Sequence, residues 1–440
     1  MIHIIFYLGI FSLIFNMVRP FAGLSIPDLL FFVSLLLLIL KGFLEKKPFS
    51  LWFSFHPLWI GAYFIIVGGL LSSFNAVSQN TSILISIKQF YTFTFLISLA
   101  ISITKKGKYN NLIFSFSLGL FVTSLVAISD FLFNTQIGYK LVSYFNPEIN
   151  RIYYYRVGGT FGHPNELAMF IGVVFPIILG YILELIFSKV RQKLITIIFY
   201  IVTIFCSLLA VISTGSMTGI LGVVTSSMIV LYFFLKRHLN NFGIKNIIFQ
   251  GRIIFSIFLI LFLFSIPFWE QSNFQEKVNS QNIIDRILTT TGPSRLVYIK
   301  ESLNYIIVNP IIGAGMDQGG TGGLTDDQRV TSFYVHNTII QSWVTGGFFA
   351  FLGAVLLYLL SFNYALKGIN IYKNQKKSSE IFIALSASII SFILMDMVQA
   401  NIYQRYKWLV VGILIGLISL YKKFPYTQNF SQKFSERFGK

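Results

Sequence analysis

Two histidines in this chain stand beside amides at places where polar sequence gives way to long apolar runs. His336 and Asn337 close a polar segment that begins near residue 270, directly before an apolar run. His163, with Pro164, Asn165 and Glu166, opens another. An imidazole at such a mouth can titrate near neutral pH and accept the proton of a hydroxyl, so His336 is the leading candidate for general-base work. The competing reading is structural. An interfacial histidine can simply cap the following helix, Asn337 can cap the same helix, and Pro164 with Asn165 are ordinary helix-start residues. Glu166 is harder to dismiss, because a carboxylate just inside an apolar run is costly and is usually paired. It could orient an arginine or His336, and His163 could support that arrangement.

The elements that must hold these residues follow from composition. The 440 residues are 55% hydrophobic and only 11% charged, with a mean hydropathy of +0.72. That is a polytopic membrane protein. Its runs are continuous and not alternating, which excludes a barrel and predicts an all-α fold. Apolar runs of about the spanning length fall at 2–17, 26–44, 57–73, 83–103, 111–133, 164–187, 194–213, 217–235, 253–269, 338–363, 379–397 and 406–421, which predicts about 12 transmembrane helices. We expect one integral domain over 1–440. The single Cys206, inside an apolar run, excludes an intrachain disulfide and a thiolate metal cluster.

A net charge of +18 would suggest nucleic acid in a soluble protein, but in a membrane protein the location of the charges matters more than their sum. With both termini placed in the cytoplasm, every short inside loop is basic. The inside segments then carry about twice the Lys and Arg of the outside ones, as the positive-inside rule requires. The polar segments 134–163 and 270–337 and the short 398–405 loop consequently face outward, and 422–440 is a basic cytoplasmic tail. The first run, without a basic leader or a small-residue cleavage site, reads as a retained span. Asp28, Asp130, Glu184 and Asp396 lie near helix ends, where solvent or capping is expected to satisfy them. In the long outer segment, Pro293 and apolar Leu296, Val297, Ile299, Leu303, Ile306 and Ile307 at helical spacing predict an amphipathic helix over 293–308. The glycine-rich GAGMDQGGTGG that follows lacks P-loop spacing and its lysine, and reads as a connector or lid. Asp326 and Asp327 in that connector read as solvated.

Four stretches fit together: RVGGTFGHPNELA at 156–168, STGSMTG at 213–219, GPSRLVYIKESLNYIIVNPIIGAG at 292–315 and VHNTIIQSWVTGG at 335–347. In order and content they resemble the O-antigen ligase and O-antigen polymerase family of bacterial envelope glycan enzymes, over roughly residues 150–365. The resemblance implies metal-independent and cofactor-free glycosyl transfer on the outer side of the bacterial cytoplasmic membrane. The donor would be a polyprenyl-pyrophosphate-linked oligosaccharide and the acceptor a glycan hydroxyl. Membrane lipids, a flippase and a chain-length regulator are the partners it suggests, and no nucleic acid.

Departure of a pyrophosphate needs positive charge near developing negative charge, and a planar guanidinium pairs bidentately with phosphate oxygens. By resemblance, Arg295 and Arg156 match the family's arginines and would hold the pyrophosphate, and His336 matches the histidine of its loop-ending His-Asn motif. One departure stands out. The family frequently carries Ser-Arg where this chain has Ser216-Met217, so an expected arginine is missing, and Arg329, Arg405 or Arg151 are the candidates to replace it. Polymerase is the preferred reading. A ligase that transfers the glycan to lipid A core or protein, and a transporter or flippase of lipid-linked glycans, are the alternatives.

Overall fold

In lipid an apolar run can satisfy its backbone only by coiling into a helix. The computed structural model describes residues 1–16, 24–46, 56–105, 109–145, 156–187, 194–239, 292–316, 335–374 and 380–423, and among these the regular elements are helices. In chain order they are α1 (Ile2–Phe11), α2 (Ile26–Leu44), α3 (Leu58–Ser72), α4 (Gln79–Thr104), α5 (Tyr109–Phe133), α6 (Ile137–Phe145), α7 (Pro164–Phe187), α8 (Leu194–Ser213), α9 (Met217–Leu239), α10 (Gly292–Val308), α11 (Thr338–Asn374), α12 (Ile381–Val398) and α13 (Arg405–Lys423). Nine of the described helices are long and apolar enough to cross a membrane. The chain is therefore a polytopic α-helical membrane protein. The expected span at 253–269 and the basic tail from 424 onward lie outside the described residues.

The apolar character of each helix decides its place. α7 is apolar all round, and every residue from Leu167 to Ile178 is buried. A helix of that kind belongs at the centre of a bundle, and α7 packs against α5, α8, α9 and α12. α11 crosses α3 closely along small residues spaced like a helix stripe. A Cβ added to Gly68 would lie 2.5 Å from the Gly346 carbonyl oxygen, and one added to Gly353 would lie 2.5 Å from that of Gly61. With little hydrophobic gain to be had between helices in lipid, such close backbone approach supplies the dispersion that holds them.

α11 breaks at Gly347, whose φ of 69° and ψ of −165° are not helical. The break frees backbone groups that cannot be left unsatisfied in a membrane interior. The chain just after α10 supplies partners: Ala314 N–H donates to Val344 O at 2.8 Å, Gly315 N–H to Thr345 O at 3.0 Å, and Phe348 N–H to Ile311 O at 3.1 Å. Part of the glycine-rich connection is thus docked into the kink, with Asn75 Nδ2 donating to Gly313 O and Ser82 Oγ accepting from Met316 N–H. The remainder, 317–334, lies outside the described residues.

Two other segments are also ordered by local contacts, one by hydrogen bonds and one by apolar packing. Asp130 accepts from Ile137 N–H at 2.7 Å and Gly138 N–H at 3.1 Å, and so starts α6 within what reads in sequence as an irregular outer segment. α10 covers the expected amphipathic stretch, but the face it buries is narrower than the apolar pattern suggests. Ile299 and Ile306 pack with Val335, Ile340, Trp343 and Val344, whereas Leu303 and Ile307 are exposed.

The α3–α11 crossing yields a direct expectation. Gly68→Val forces its branched side chain against the Gly346 backbone and should lower unfolding stability in detergent by about 1–3 kcal/mol, the usual cost of overpacking. An unchanged thermal midpoint for that variant would show that the crossing is not load-limited by backbone approach.

Candidate functional site

The site builds up from helix starts that the fold brings to one end of the bundle. α7 begins with His163 as its cap: Nδ1 of His163 accepts from Asn165 N–H at 3.1 Å, and its carbonyl accepts from the amides of Glu166 and Leu167. Pro164 at the first helical position needs no partner for a missing N–H. α11 begins in the same way at Asn337, whose Oδ1 accepts from Ile339 N–H at 3.0 Å and Ile340 N–H at 3.1 Å. Both capping readings are therefore realised, and in each case the cap also fixes the neighbouring residue. The Asn337 side chain is further tied by its Nδ2 to Met397 O, at the end of α12.

Between these two helix mouths runs a continuous polar chain. Nη2 of Arg156 donates to Asn165 Oδ1 at 2.7 Å, and its Nε donates to Thr214 O at 2.7 Å. Asn165 Nδ2 donates to Gln399 Oε1 at 3.5 Å, and His336 Nδ1 lies 3.2 Å from that same oxygen. Arg156 and Asn165, His336 and Gln399 come from three separate parts of the sequence, and the fold joins the four residues within three contacts. Arg156, Asn165 and His336 are partly exposed, whereas Gln399 is 2% exposed. The polar ends can thus meet a substrate while the glutamine between them is enclosed.

Arg156 also answers the missing arginine. The turn between α8 and α9 passes through Gly215 at a φ of 58°, and a Cβ there would lie 3.6 Å from Arg156 Nε. A guanidinium therefore sits against the STGSM turn although Met217 occupies the sequence position, and it comes from the chain before α7. Arg405 is placed otherwise. Its guanidinium grips Asp28 through both carboxylate oxygens and also donates to Asn16. Asp28 itself caps α2, with Ser25 Oγ donating to it at 2.8 Å. Arg405 clamps α1, α2 and the start of α13, and it is not brought onto the Arg156–His336 chain by any described contact. Arg295 lies in the first turns of α10, the helix that packs on the start of α11. Arg329 and Arg151 lie outside the described residues. Glu166 is on the α7 turn beside Asn165, near enough to Lys407 and Tyr406 to act on both through its charge.

Gln399 is the residue the sequence did not single out. It lies in the short 398–405 loop, where Arg405 drew attention by its charge, and an isolated glutamine carries no comparable signal. What holds it is a buried ionic group. Lys407 and Asp396 are both wholly buried; the Lys407 ammonium donates to Asp396 Oδ1 at 2.5 Å and to Asn401 O at 2.6 Å, and Tyr358 hydroxyl donates to Asp396 Oδ2 at 2.8 Å. Asn401 N–H in turn donates to Thr338 Oγ1 at 3.1 Å. This corrects the expectation that Asp396 is satisfied by solvent or capping. The loop tucks into the bundle, and a charge enclosed there must be paired. In the same loop, burial pushes the Tyr403 phenol up to about 12, against the pull of hydrogen bonds with Gln89 and Thr345. It stays protonated across the physiological range.

Fold and site together define an integral membrane protein of helices with a composite polar site at one end of its bundle. Residues 202–355 match the family model of the O-antigen ligases. That segment contains the STGSM turn, α10 and the His336–Asn337 mouth, while Arg156, Asn165, Gln399 and Lys407 lie on either side of it. No curated protein matches the chain.

The ionic support of the loop can be isolated by mutation. Lys407→Met leaves a buried carboxylate without its cation and should cost about 3–5 kcal/mol of stability in detergent. Lys407→Met with Asp396→Leu should recover much of it. A single variant as stable as the wild type would show that the pair does not hold the loop.

Proposed function

We propose that this chain is a glycosyltransferase of the outer side of the bacterial cytoplasmic membrane. In this reading it joins polyprenyl-pyrophosphate-linked repeat units into a polysaccharide such as an O-antigen, capsule or exopolysaccharide. The observation that carries the reading is the contact chain from Arg156 through Asn165 and Gln399 to His336, which couples an anion-holding guanidinium to a candidate base within one site. The segment match to O-antigen ligases supports the same chemistry. In this reading both termini lie in the cytoplasm, the whole of 1–440 is one integral domain, and 270–337 is a large extracytoplasmic loop.

His336 takes the proton of the acceptor hydroxyl as its oxygen attacks the anomeric carbon of the donor. The bond from that carbon to the phosphate oxygen breaks, and the departing polyprenyl pyrophosphate keeps the electron pair. Arg156 and Arg295 stabilise the negative charge that grows there, with Arg329 as a further donor from the outer loop. Arg405 contributes indirectly, by clamping α13 against α2. Asn337, Asn165, His163 and Glu166 hold the two helix mouths and the groups on them. Neither metal nor cofactor is required for these steps, and lipids, a flippase and a chain-length regulator are the partners this role would use.

The description of the matched family, O-antigen ligase, supports a second reading equally well; in that reading the acceptor is lipid A core or a protein. Chemistry at the two residues would be the same, and only the acceptor end differs.

His336→Ala should remain folded and inserted yet form no polymer from lipid-linked repeats in a reconstituted assay, and turnover by the wild type in detergent, without a sealed compartment, would set aside pure transport. Normal chain lengths from the variant would sink the catalytic role. Product whose reducing end sits on lipid A core or protein, and not on polyprenyl pyrophosphate, would replace polymerase by ligase.

A further inference from the structure

A guanidinium can only donate hydrogen bonds, and that fixes the direction of every bond leading away from Arg156. Its Nη2 gives a proton to Asn165 Oδ1 at 2.7 Å, which turns the Asn165 amide so that Nδ2 faces Gln399. Nδ2 is a donor, so the glutamine atom that meets it must accept, and that atom is Oε1. His336 Nδ1 approaches the same Oε1 at 3.2 Å. An oxygen that accepts cannot share a lone pair with another lone pair, so Nδ1 must carry the proton.

We infer that Gln399 is a positioning residue that holds His336 in the Nδ1–H tautomer, making Nε2 the accepting nitrogen, with the polarity imposed from Arg156 through Asn165. The inference rests on the catalytic reading of His336 given above and deepens it. A base acting on an acceptor hydroxyl needs an unprotonated nitrogen, and the opposite tautomer would set its only lone pair against the accepting oxygen of Gln399.

Gln399 is suited to the task because it cannot drift. It is 2% exposed, its carbonyl accepts from Thr338 Oγ1 at 3.4 Å on the first turn of α11, and the buried Lys407 holds the same loop through Asn401 O. His163 provides the contrast within the same site. Its Nδ1 accepts from Asn165 N–H at 3.1 Å, so its neutral ring carries the proton on Nε2. The two histidines that flank this chain of contacts are held as opposite tautomers, one set to accept at Nε2 and the other to donate from it.

The full-length protein in detergent, labelled with nitrogen-15 at histidine and observed at about pH 9, well above the ordinary imidazole pKa of about 6.5, reads both rings directly. His336→Ala and His163→Ala assign the signals. His336 should show a protonated Nδ1 and an unprotonated Nε2, and His163 the reverse. Gln399→Leu should turn the His336 signal into a mixture of tautomers while leaving that of His163 unchanged. In the polymerisation assay Gln399→Glu sets a carboxylate against Nδ1–H, favours the imidazolium, and should move the acid limb of kcat/KM up by at least about one pH unit. A wild-type His336 protonated on Nε2 would overturn the inference, as would an active Gln399→Glu protein whose acid limb has not moved. Polymerisation that survives His336→Ala would instead overturn the catalytic reading alone, since the ring signals judge the tautomer without reference to turnover.

Discussion

An ammonium with no exposed surface needs partners from the protein, and in this molecule the partners of Lys407 decide the shape of the site. Asp396 comes from the end of α12, Asn401 from the loop that follows, and Lys407 from the start of α13. The three close that loop into a compact turn under the mouth of α11. Tyr358 extends the group into the middle of α11 through Asp396. Desolvating both charges is expensive, and their attraction repays it only where geometry and further hydrogen bonds are good, as they are here. The arrangement is better understood as specification of one loop conformation than as a reserve of stability.

Once that turn is set, the polar chain above it has little freedom. Gln399 is presented to both helix mouths, α7 with Asn165 and α11 with His336, and Arg156 closes the far end against the turn between α8 and α9. The segment matched to the O-antigen ligases supplies the histidine and the turn, while the guanidinium and the glutamine come from outside it. The site is thus a product of the whole bundle. Arg405, with a charge that makes it look similar to Arg156 in sequence, is placed differently, because Asp28 accepts from both the Nε and the Nη2 edge of its guanidinium.

The break in α11 at Gly347 obeys the same demand for satisfied polar groups. Backbone released by the kink is taken up by residues 311–315, so the chain leaving α10 is packed against α11. α10 is thereby held against the mouth of α11, and Arg295 on its first turns is carried by a helix whose far end is fixed. Two glycines make the approach possible: Gly313 lies against the Thr345 backbone, and Gly347 adopts a left-handed φ that a side chain would oppose.

By itself the sequence determined the class, the positions of the apolar helices among the described residues, the amphipathic α10 and the helix mouths at His163 and His336. These are local properties, since continuous apolar runs and capping residues act over one or two helical turns and leave a periodic trace. Its four short motifs resemble the O-antigen ligase family, whose model matches residues 202–355. Only the tertiary structure decided which arginine meets the STGSM turn, that Gln399 joins Asn165 to His336, that Asp396 and Lys407 neutralise each other, and that α11 kinks onto the glycine-rich connection. Each of those depends on groups between 11 and 234 residues apart meeting in space. Helix packing sets such meetings through small shape differences along whole helices, and hydrogen bonds then lock them, so no single residue type or spacing announces them in advance.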